Sequence, residues 1–81
     1  MKKKTPHPKV KQIGIRLQAL RKAKGYTNYE TFAFKNDIPR AQYGRYEQGQ
    51  DMRLSSFFKV LEALGVTPVE FFSEGFEDKT E

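Results

Sequence analysis

Apolar residues recur at helical spacing in two long stretches of the chain. The stretch from residue 54 to residue 64 has them at i, i+3, i+4, i+7 and i+10, which predicts an amphipathic helix closed by Gly65. Its members are Leu54, Phe57, Phe58, Leu61 and Leu64. A similar set predicts an earlier helix from residue 10 to about residue 24, and its members are Val10, Ile13, Leu17 and Leu20.

Two shorter helices are predicted between these stretches from their end signals. Thr27 is followed three residues later by Glu30, which matches a capping box and predicts a helix from about residue 28 to residue 36. Proline suits the first helical position, so Pro39 is expected to open a further helix. That helix should run to Gln48, because Gly49 is a natural helix terminator.

A fifth, short helix is predicted after residue 66. Thr67 is a suitable N-cap, Pro68 a suitable first residue and Glu70 the matching capping-box partner. No alternating pattern typical of β-strands competes with the helical one. The sequence therefore predicts an all-α fold, a compact five-helix bundle, over residues 10–76. Residues 1–9 should form a flexible basic arm and residues 77–81 an acidic tail.

The residue inventory excludes several classes of function. The chain has 81 residues, no cysteine and one histidine, so we expect a single domain with no metal site and no cofactor. No credible set of catalytic side chains is present, which argues against an enzyme. No stretch approaches the roughly 18 apolar residues of a membrane span. We expect a soluble cytoplasmic protein.

The charge distribution is polarised along the chain. Residues 1–50 carry twelve Lys and Arg against three Asp and Glu, a net +9, and residues 51–81 carry three against seven, a net −4. A concentrated basic half indicates a polyanionic partner, either nucleic acid or an anionic membrane surface. A bias toward solubility with a disordered lysine leader explains the charge equally well.

The second and third helices, joined by a tight turn, form a helix-turn-helix candidate. Four segments follow one another between residues 13 and 72: IGIRLQALRKAKGYT, FA, RYEQG and LEALGVTPVEFF. In order and spacing they resemble the Cro and lambda/434-type repressor family, also called XRE. The resemblance implies the lambda repressor-like DNA-binding fold. Asp37 occupies the turn position where glycine is common, so a left-handed backbone is expected there.

Helical periodicity places Tyr43 and Tyr46 of the third helix in the core, on the side of Ile38. By resemblance, the outward positions contact bases in the major groove and nearby phosphates, where arginine can pair with guanine. These base-reading candidates are Arg40, Ala41, Gln42, Gly44 and Arg45. Gln42 could instead form a local hydrogen bond. Gly44 has two explanations, a close approach to the groove or a poorly optimised helix, and glycine there costs about 1 kcal/mol.

Flanking polar residues are candidates for contacts with DNA phosphates, which position a protein without reading sequence. They are Asn28, Tyr29, Gln48, Gln50, Arg53 and Ser55. Arg53 stands where the family usually places a small capping residue. A cation there opposes the helix dipole, which a neighbouring phosphate would offset. The resemblance also implies a structural ion pair between Arg21 and Glu47.

These observations predict sequence-specific binding of double-stranded DNA by a transcriptional regulator that excludes or recruits polymerase. A homodimer reading two half-sites is expected, with Phe71, Phe72 and Phe76 as candidate contacts. Phe72 is assigned to the intramolecular core, and Phe76 suits the core and the dimer equally. Two other classes stay open: an antitoxin or adaptor whose main partner is a protein such as a toxin, and non-specific binding through charge.

Overall fold

The computed structural model describes residues 7–76 as five α-helices without a strand, which confirms the predicted all-α class. The helices are α1 (Pro8–Ala23), α2 (Tyr29–Lys35), α3 (Arg40–Glu47), α4 (Leu54–Leu64) and α5 (Pro68–Phe72). Residues 1–6 of the expected arm and the expected tail 77–81 lie outside the described residues. Within residues 7–76, no helix has the length and apolar character needed to cross a bilayer.

Helix α1 begins two residues earlier than the periodicity predicts. His7 is its N-cap, and the imidazole Nδ1 accepts a hydrogen bond of 3.0 Å from the backbone N–H of Lys9. Pro8 takes the first helical position, where its fixed φ and missing N–H are harmless. Pro8 and Lys9 therefore belong to the helix, and the predicted boundary of the arm at residue 9 was too late.

Helix α2 begins one residue later than the proposed capping box requires. Its N-cap is Asn28, whose side-chain oxygen accepts a 3.0 Å hydrogen bond from the N–H of Thr31. The box between Thr27 and Glu30 was a wrong prediction, since asparagine is at least as good an N-cap as threonine and stands one position further on. Phe32 and Ala33 of this helix are fully buried in the core.

The turn between α2 and α3 has the predicted left-handed residue. Asp37 has φ 58°, and the N–H of Ile38 then returns to the carbonyl of Ala33 at 2.9 Å. Pro39 has ψ 126°, so it precedes α3 as its cap residue instead of opening the helix. The predicted first residue was therefore one position too early. Pro39 keeps an extended backbone at the end of the turn, and helical geometry begins at Arg40. Gly49, with φ 92°, ends the helix as predicted.

The core lies between all five helices. Its largest fully buried side chains are Tyr43, Phe32, Phe71, Leu17, Leu61 and Val60. Helix α4 is confirmed, yet two residues of its predicted apolar stripe, Leu54 and Phe58, are 71% and 46% exposed. The apolar face of α4 is thus wider than the surface that the rest of the chain covers. The capping box of α5 is confirmed, with Thr67 and Glu70 bonding reciprocally.

Candidate nucleic-acid interface

Helix α3 is held against α1 by a backbone approach at its C-terminal end. Gly14 of α1 is buried, and a Cβ at this position would lie 2.7 Å from the carbonyl oxygens of both Tyr46 and Glu47. Such distances are shorter than any van der Waals contact, so only glycine fits. The position of α3 relative to α1 is therefore fixed by main-chain packing.

The predicted ion pair of Arg21 and Glu47 is present and buried. Arg21 Nε and Nη2 donate to the two carboxylate oxygens of Glu47 at 2.7 and 2.9 Å. Arg21 Nη1 donates to the carbonyl of Tyr26 at 2.8 Å, and 3% of the Arg21 side chain is exposed. The hydrogen bonds to Glu47 raise the pKa of Arg21 above its ordinary value. This fork fixes the rotation of α3 about its own axis.

The inward side of α3 is aromatic, as predicted. Tyr43 is fully buried and Tyr46 almost so, and the Tyr43 ring lies 5.2 Å from that of Phe32. Within the described residues, the Tyr43 hydroxyl makes no hydrogen bond. Burial raises the pKa of this phenol well above its usual range, and the nearby charge of Glu47 acts in the same direction.

Gln42 lies at the edge of this inward side. Its amide Nε2 donates a hydrogen bond to the hydroxyl of Tyr46, and the pair is partly buried. The structure thus contains the local hydrogen bond that was one of the two expectations for this residue. An amide engaged in this way is directed along α3 toward the α3–α4 boundary, where Lys59 and Val60 also lie.

Gly44 is buried, contrary to its predicted place among the outward residues. The ring of Tyr29 covers it, and a Cβ on Gly44 would lie 2.8 Å from Cε1 of Tyr29. The glycine is therefore explained by packing between α2 and α3, which neither of the two expectations included. Tyr29 itself is half-buried by the same contact.

The outward side of α3 is formed by three residues, which we call the α3 face: Arg40, Ala41 and Arg45, all exposed. Neither arginine has an ion-pair partner within residues 7–76. An unpaired cation on a helix surface keeps all its donors available to a ligand. The exposed polar residues expected beside this face are Asn28, Gln48, Gln50, Arg53 and Ser55.

Two of these flanking residues have defined local roles. Asn28 uses its side-chain oxygen to cap α2, which leaves its NH₂ group for other contacts. Arg53 is the N-cap of α4, extended in backbone conformation, and makes no side-chain capping bond. Its guanidinium is exposed and unpaired within the described residues, beside a helix N-terminus whose own amides favour an anion.

Sequence reasoning did not find the role of Arg16. Its Nε and Nη2 donate to the carbonyls of Phe71 and Glu70 at 2.9 and 3.0 Å, and Nη1 lies 3.4 Å from the carboxylate of Glu74. The side chain therefore caps the C-terminal end of α5 from α1. No local spacing could have indicated this contact, because more than fifty residues separate the partners.

An apolar surface remains on α4 and α5. We call it the α4–α5 patch: Leu54, Phe58, Val69 and Phe72, each between 43% and 81% exposed. Val10 and Ile13 of α1 line the groove beside it. The prediction that Phe72 belongs to the core was wrong, since Phe71 takes that place and Phe72 is turned outward. Phe76 is half-buried, with its ring 4.8 Å from that of Phe72.

The architecture defines a helix-turn-helix DNA-binding domain: two helices joined by a tight turn, the second anchored on its inner side and basic on its outer side. The model of the helix-turn-helix family HTH_3 matches residues 17–71, so the chain belongs to that family, the XRE group of Cro/C1-type proteins. It is a DNA-binding regulator of transcription.

A solved structure supports the same assignment. The restriction-modification controller protein C.AhdI from Aeromonas hydrophila superposes with a TM-score of 0.72 and 34% sequence identity. The match covers 82% of this chain and 100% of that chain. Among proteins with curated descriptions, none matches this sequence. Residues 7–76 contain no cluster of side chains suited to holding a metal ion.

Proposed function

We propose that the chain is an operator-binding regulator that inserts α3 into the major groove and reads base pairs with the α3 face. The observation that carries this proposal is the combination of two exposed arginines with a helix fixed from behind. Within residues 7–76 the guanidinium groups of Arg40 and Arg45 have no partner, whereas the opposite side of α3 is buried. Arginine donates two hydrogen bonds to guanine O6 and N7, a pairing worth about 1 to 3 kcal/mol in discrimination.

Ala41 supplies the apolar part of the same face. Its methyl group is exposed between the two arginines, and a small apolar side chain suits contact with the methyl of thymine. Gln42 is assigned a supporting role, because its amide is bonded to Tyr46. Gly44 is assigned to packing, because Tyr29 covers it.

The flanking residues are proposed to bind phosphates on either side of the groove. Arg53 is the strongest candidate, since it is the N-cap of α4 and its guanidinium has no partner in the described part of the chain. Asn28 and Tyr29 lie at the start of α2, Gln48 and Gln50 follow the end of α3, and Ser55 lies in the first turn of α4. Contacts of this kind fix the register of a protein on the duplex. Binding to chromosomal DNA places the working protein in the cytoplasm.

The α4–α5 patch is proposed to form a homodimer interface. Leu54 and Val69 are more than two-thirds exposed, and Leu54 lines one groove with Phe58 and Phe72. An exposed apolar surface of this kind marks a contact site. A two-fold dimer would present two α3 helices to successive turns of one face of the duplex. The second copy matters for affinity because a single domain of this size has a small DNA interface.

Selection of bound duplexes from a random pool tests the proposal. We expect a short, near-palindromic consensus, and the absence of enrichment would end the case for sequence-specific recognition. Arg45→Ala should lose base preference while it keeps non-specific binding. Lys24→Ala is the matched control, because it also removes a positive charge but at a position outside the α3 face. The ammonium group of Lys24 lies near Gly65 at the end of α4. If the Arg45→Ala consensus is unchanged, the α3 face is not the reading surface.

A further inference from the structure

The ring of Tyr29 occupies the space in which a side chain at residue 44 would stand. A Cβ built on Gly44 would lie 2.8 Å from Cε1 of Tyr29 and 3.0 Å from both Cζ and the hydroxyl oxygen. Contacts this short force the ring of Tyr29 to move when residue 44 carries a Cβ. A residue larger than glycine at position 44 is therefore incompatible with the present place of Tyr29.

This contact lies beside the α3 face. On a helix, residue 44 is adjacent to residues 40, 41 and 48, and Arg40, Ala41 and Gln48 are all exposed. The ring of Tyr29 thus covers α3 at a position that neighbours Arg40 and Ala41, although it belongs to α2. Its ring centroid also lies 6.4 Å from that of the fully buried Tyr43. The half-buried ring therefore lies between the core and the surface beside the α3 face.

We infer that Tyr29 and Gly44 act as one unit that sets the sequence preference of the protein. The ring, seated on the bare backbone of Gly44, fixes the separation of α2 and α3. That separation determines how deeply and at what angle Arg40 and Arg45 enter the groove. Both members of the pair are positioning residues, since they act through these arginines. The inference rests on the proposed reading role of α3.

Base recognition tolerates a smaller displacement of α3 than phosphate binding does. A bidentate contact between arginine and guanine requires two donors to meet two acceptors at once, so a small displacement of the helix loses it. Contacts with phosphates are less demanding because they depend mainly on charge. A shift of α3 should therefore reduce the preference for the correct sequence more than it reduces binding to any duplex.

A different explanation of Gly44 makes a distinguishable prediction. If glycine is needed because DNA itself approaches the backbone, Gly44→Ala weakens operator binding whether or not the ring of Tyr29 is present. If glycine is needed to seat the ring, the effect of Gly44→Ala depends on the ring. Contacting residues show such dependence as non-additive effects in a double-mutant cycle.

The experiment uses the full chain and four variants: Gly44→Ala, Tyr29→Phe, Tyr29→Ala, and the double variant Tyr29→Ala with Gly44→Ala. Kd is measured for the selected operator and for a scrambled duplex, at a temperature where circular dichroism shows each variant fully folded. The readout is the Kd for the scrambled duplex divided by the Kd for the operator. A uniform loss of folded protein does not change this ratio.

Gly44→Ala and Tyr29→Ala should each lower this ratio by about tenfold, a loss within the discrimination that one arginine–guanine pair provides. Tyr29→Phe should keep the ratio, because it retains the ring. The double variant should be no worse than Tyr29→Ala alone, since alanine at position 44 then meets no ring. The double variant also keeps the test valid if Gly44→Ala by itself fails to fold.

Three results would overturn the inference. The first is an equal loss from Gly44→Ala with and without the ring, and the second is an unchanged ratio in Tyr29→Ala. The third is a fall in Tyr29→Phe, which would assign the effect to the hydroxyl. Arg45→Ala in the same assay separates this inference from the proposed reading role of α3. If Arg45→Ala lowers the ratio while the variants of Tyr29 and Gly44 do not, only this inference fails. If Arg45→Ala also leaves the ratio unchanged, the proposed reading face fails as well.

Discussion

Arg21 and Glu47 form a two-pronged ion pair that joins α1 to the last residue of α3, and both side chains are more than nine-tenths buried. A buried pair of this kind adds little net stability, because the loss of hydration offsets the attraction between the charges. Its effect is on geometry, since the fork can be satisfied in only one orientation of the carboxylate. The pair therefore determines which side of α3 faces outward.

Glu47→Gln should destabilise the domain strongly. The variant leaves the Arg21 guanidinium buried without a counter-charge, which costs about 3 to 5 kcal/mol. Urea unfolding followed by circular dichroism measures the change. Glu62→Gln, at an exposed position of α4, is the control and should stay within about 0.5 kcal/mol of the parent protein. Equal effects of the two changes would mean that the pair has no structural role.

Tyr43→Phe should change the response to alkaline pH. The folded protein raises the pKa of Tyr43 above that of the unfolded chain, so the neutral phenol favours folding. The contribution of Tyr43 to the free energy of unfolding is complete below about pH 10. Above that pH it decreases by about 1.4 kcal/mol per pH unit. The parent protein should therefore lose stability faster than Tyr43→Phe above pH 10.

At pH 7 the two should differ by less than about 1 kcal/mol, because the hydroxyl makes no hydrogen bond within residues 7–76. If the free energies of unfolding of the two proteins change in parallel up to pH 11, the raised pKa of Tyr43 is contradicted.

Gly14→Ala should destabilise the domain although it improves helix propensity. The added methyl meets the main chain of α3, which cannot rotate away, and overpacking of this kind costs about 1 to 3 kcal/mol. The measurement is the urea midpoint. Gln18→Ala, at an exposed position of the same helix, is the control and should be neutral or slightly stabilising. A stable Gly14→Ala protein would show that α1 and α3 can separate.

Arg53→Gln should weaken binding to every duplex by a similar factor. A phosphate contact carries no sequence information, so the operator and a scrambled duplex should lose affinity together. The slope of log K against log salt concentration should fall in magnitude by about 1. Lys24→Ala should leave the slope unchanged. A loss confined to the operator would instead make Arg53 a base-reading residue.

Leu54→Lys should shift the protein toward the monomer. The change places a charge in the α4–α5 patch, and burying an unpaired charge at an interface is unfavourable. Analytical ultracentrifugation measures the association constant. Ile15→Lys is the matched control, because Ile15 is 58% exposed and lines a separate depression with Arg16 and Glu74. If both variants associate like the parent protein, the patch serves a different protein partner or none.

The helices were predictable because their signals are local. Thr67, Pro68 and Glu70 lie within four residues of each other, and each takes its predicted role. The same kind of signal failed at α2, where Thr27 and Asn28 are adjacent and both suit an N-cap. Their intrinsic preferences differ by too little to choose between them. The exact first residue of a helix then depends on contacts that the local sequence does not contain.

The site was predictable only in part, for a related reason. Periodicity correctly turned Tyr43 and Tyr46 inward, since it describes one helix at a time. It placed Gly44 outward, because the ring that covers it comes from α2. The capping of α5 by Arg16 was missed because a long side chain reaches a partner that is distant in sequence. Contacts between elements decide these residues, and a single sequence does not record them.

Helix α1 links the two ends of the molecule. Arg21 holds α3, while Arg16, about 7.5 Å away along the same axis, holds the end of α5. The distance from α3 to the α4–α5 patch is thereby set through a single helix. In the proposed two-fold dimer, this distance would fix how far apart the two α3 helices stand. The number of base pairs between the operator half-sites would then depend on α1, a helix with no residue in the proposed reading face.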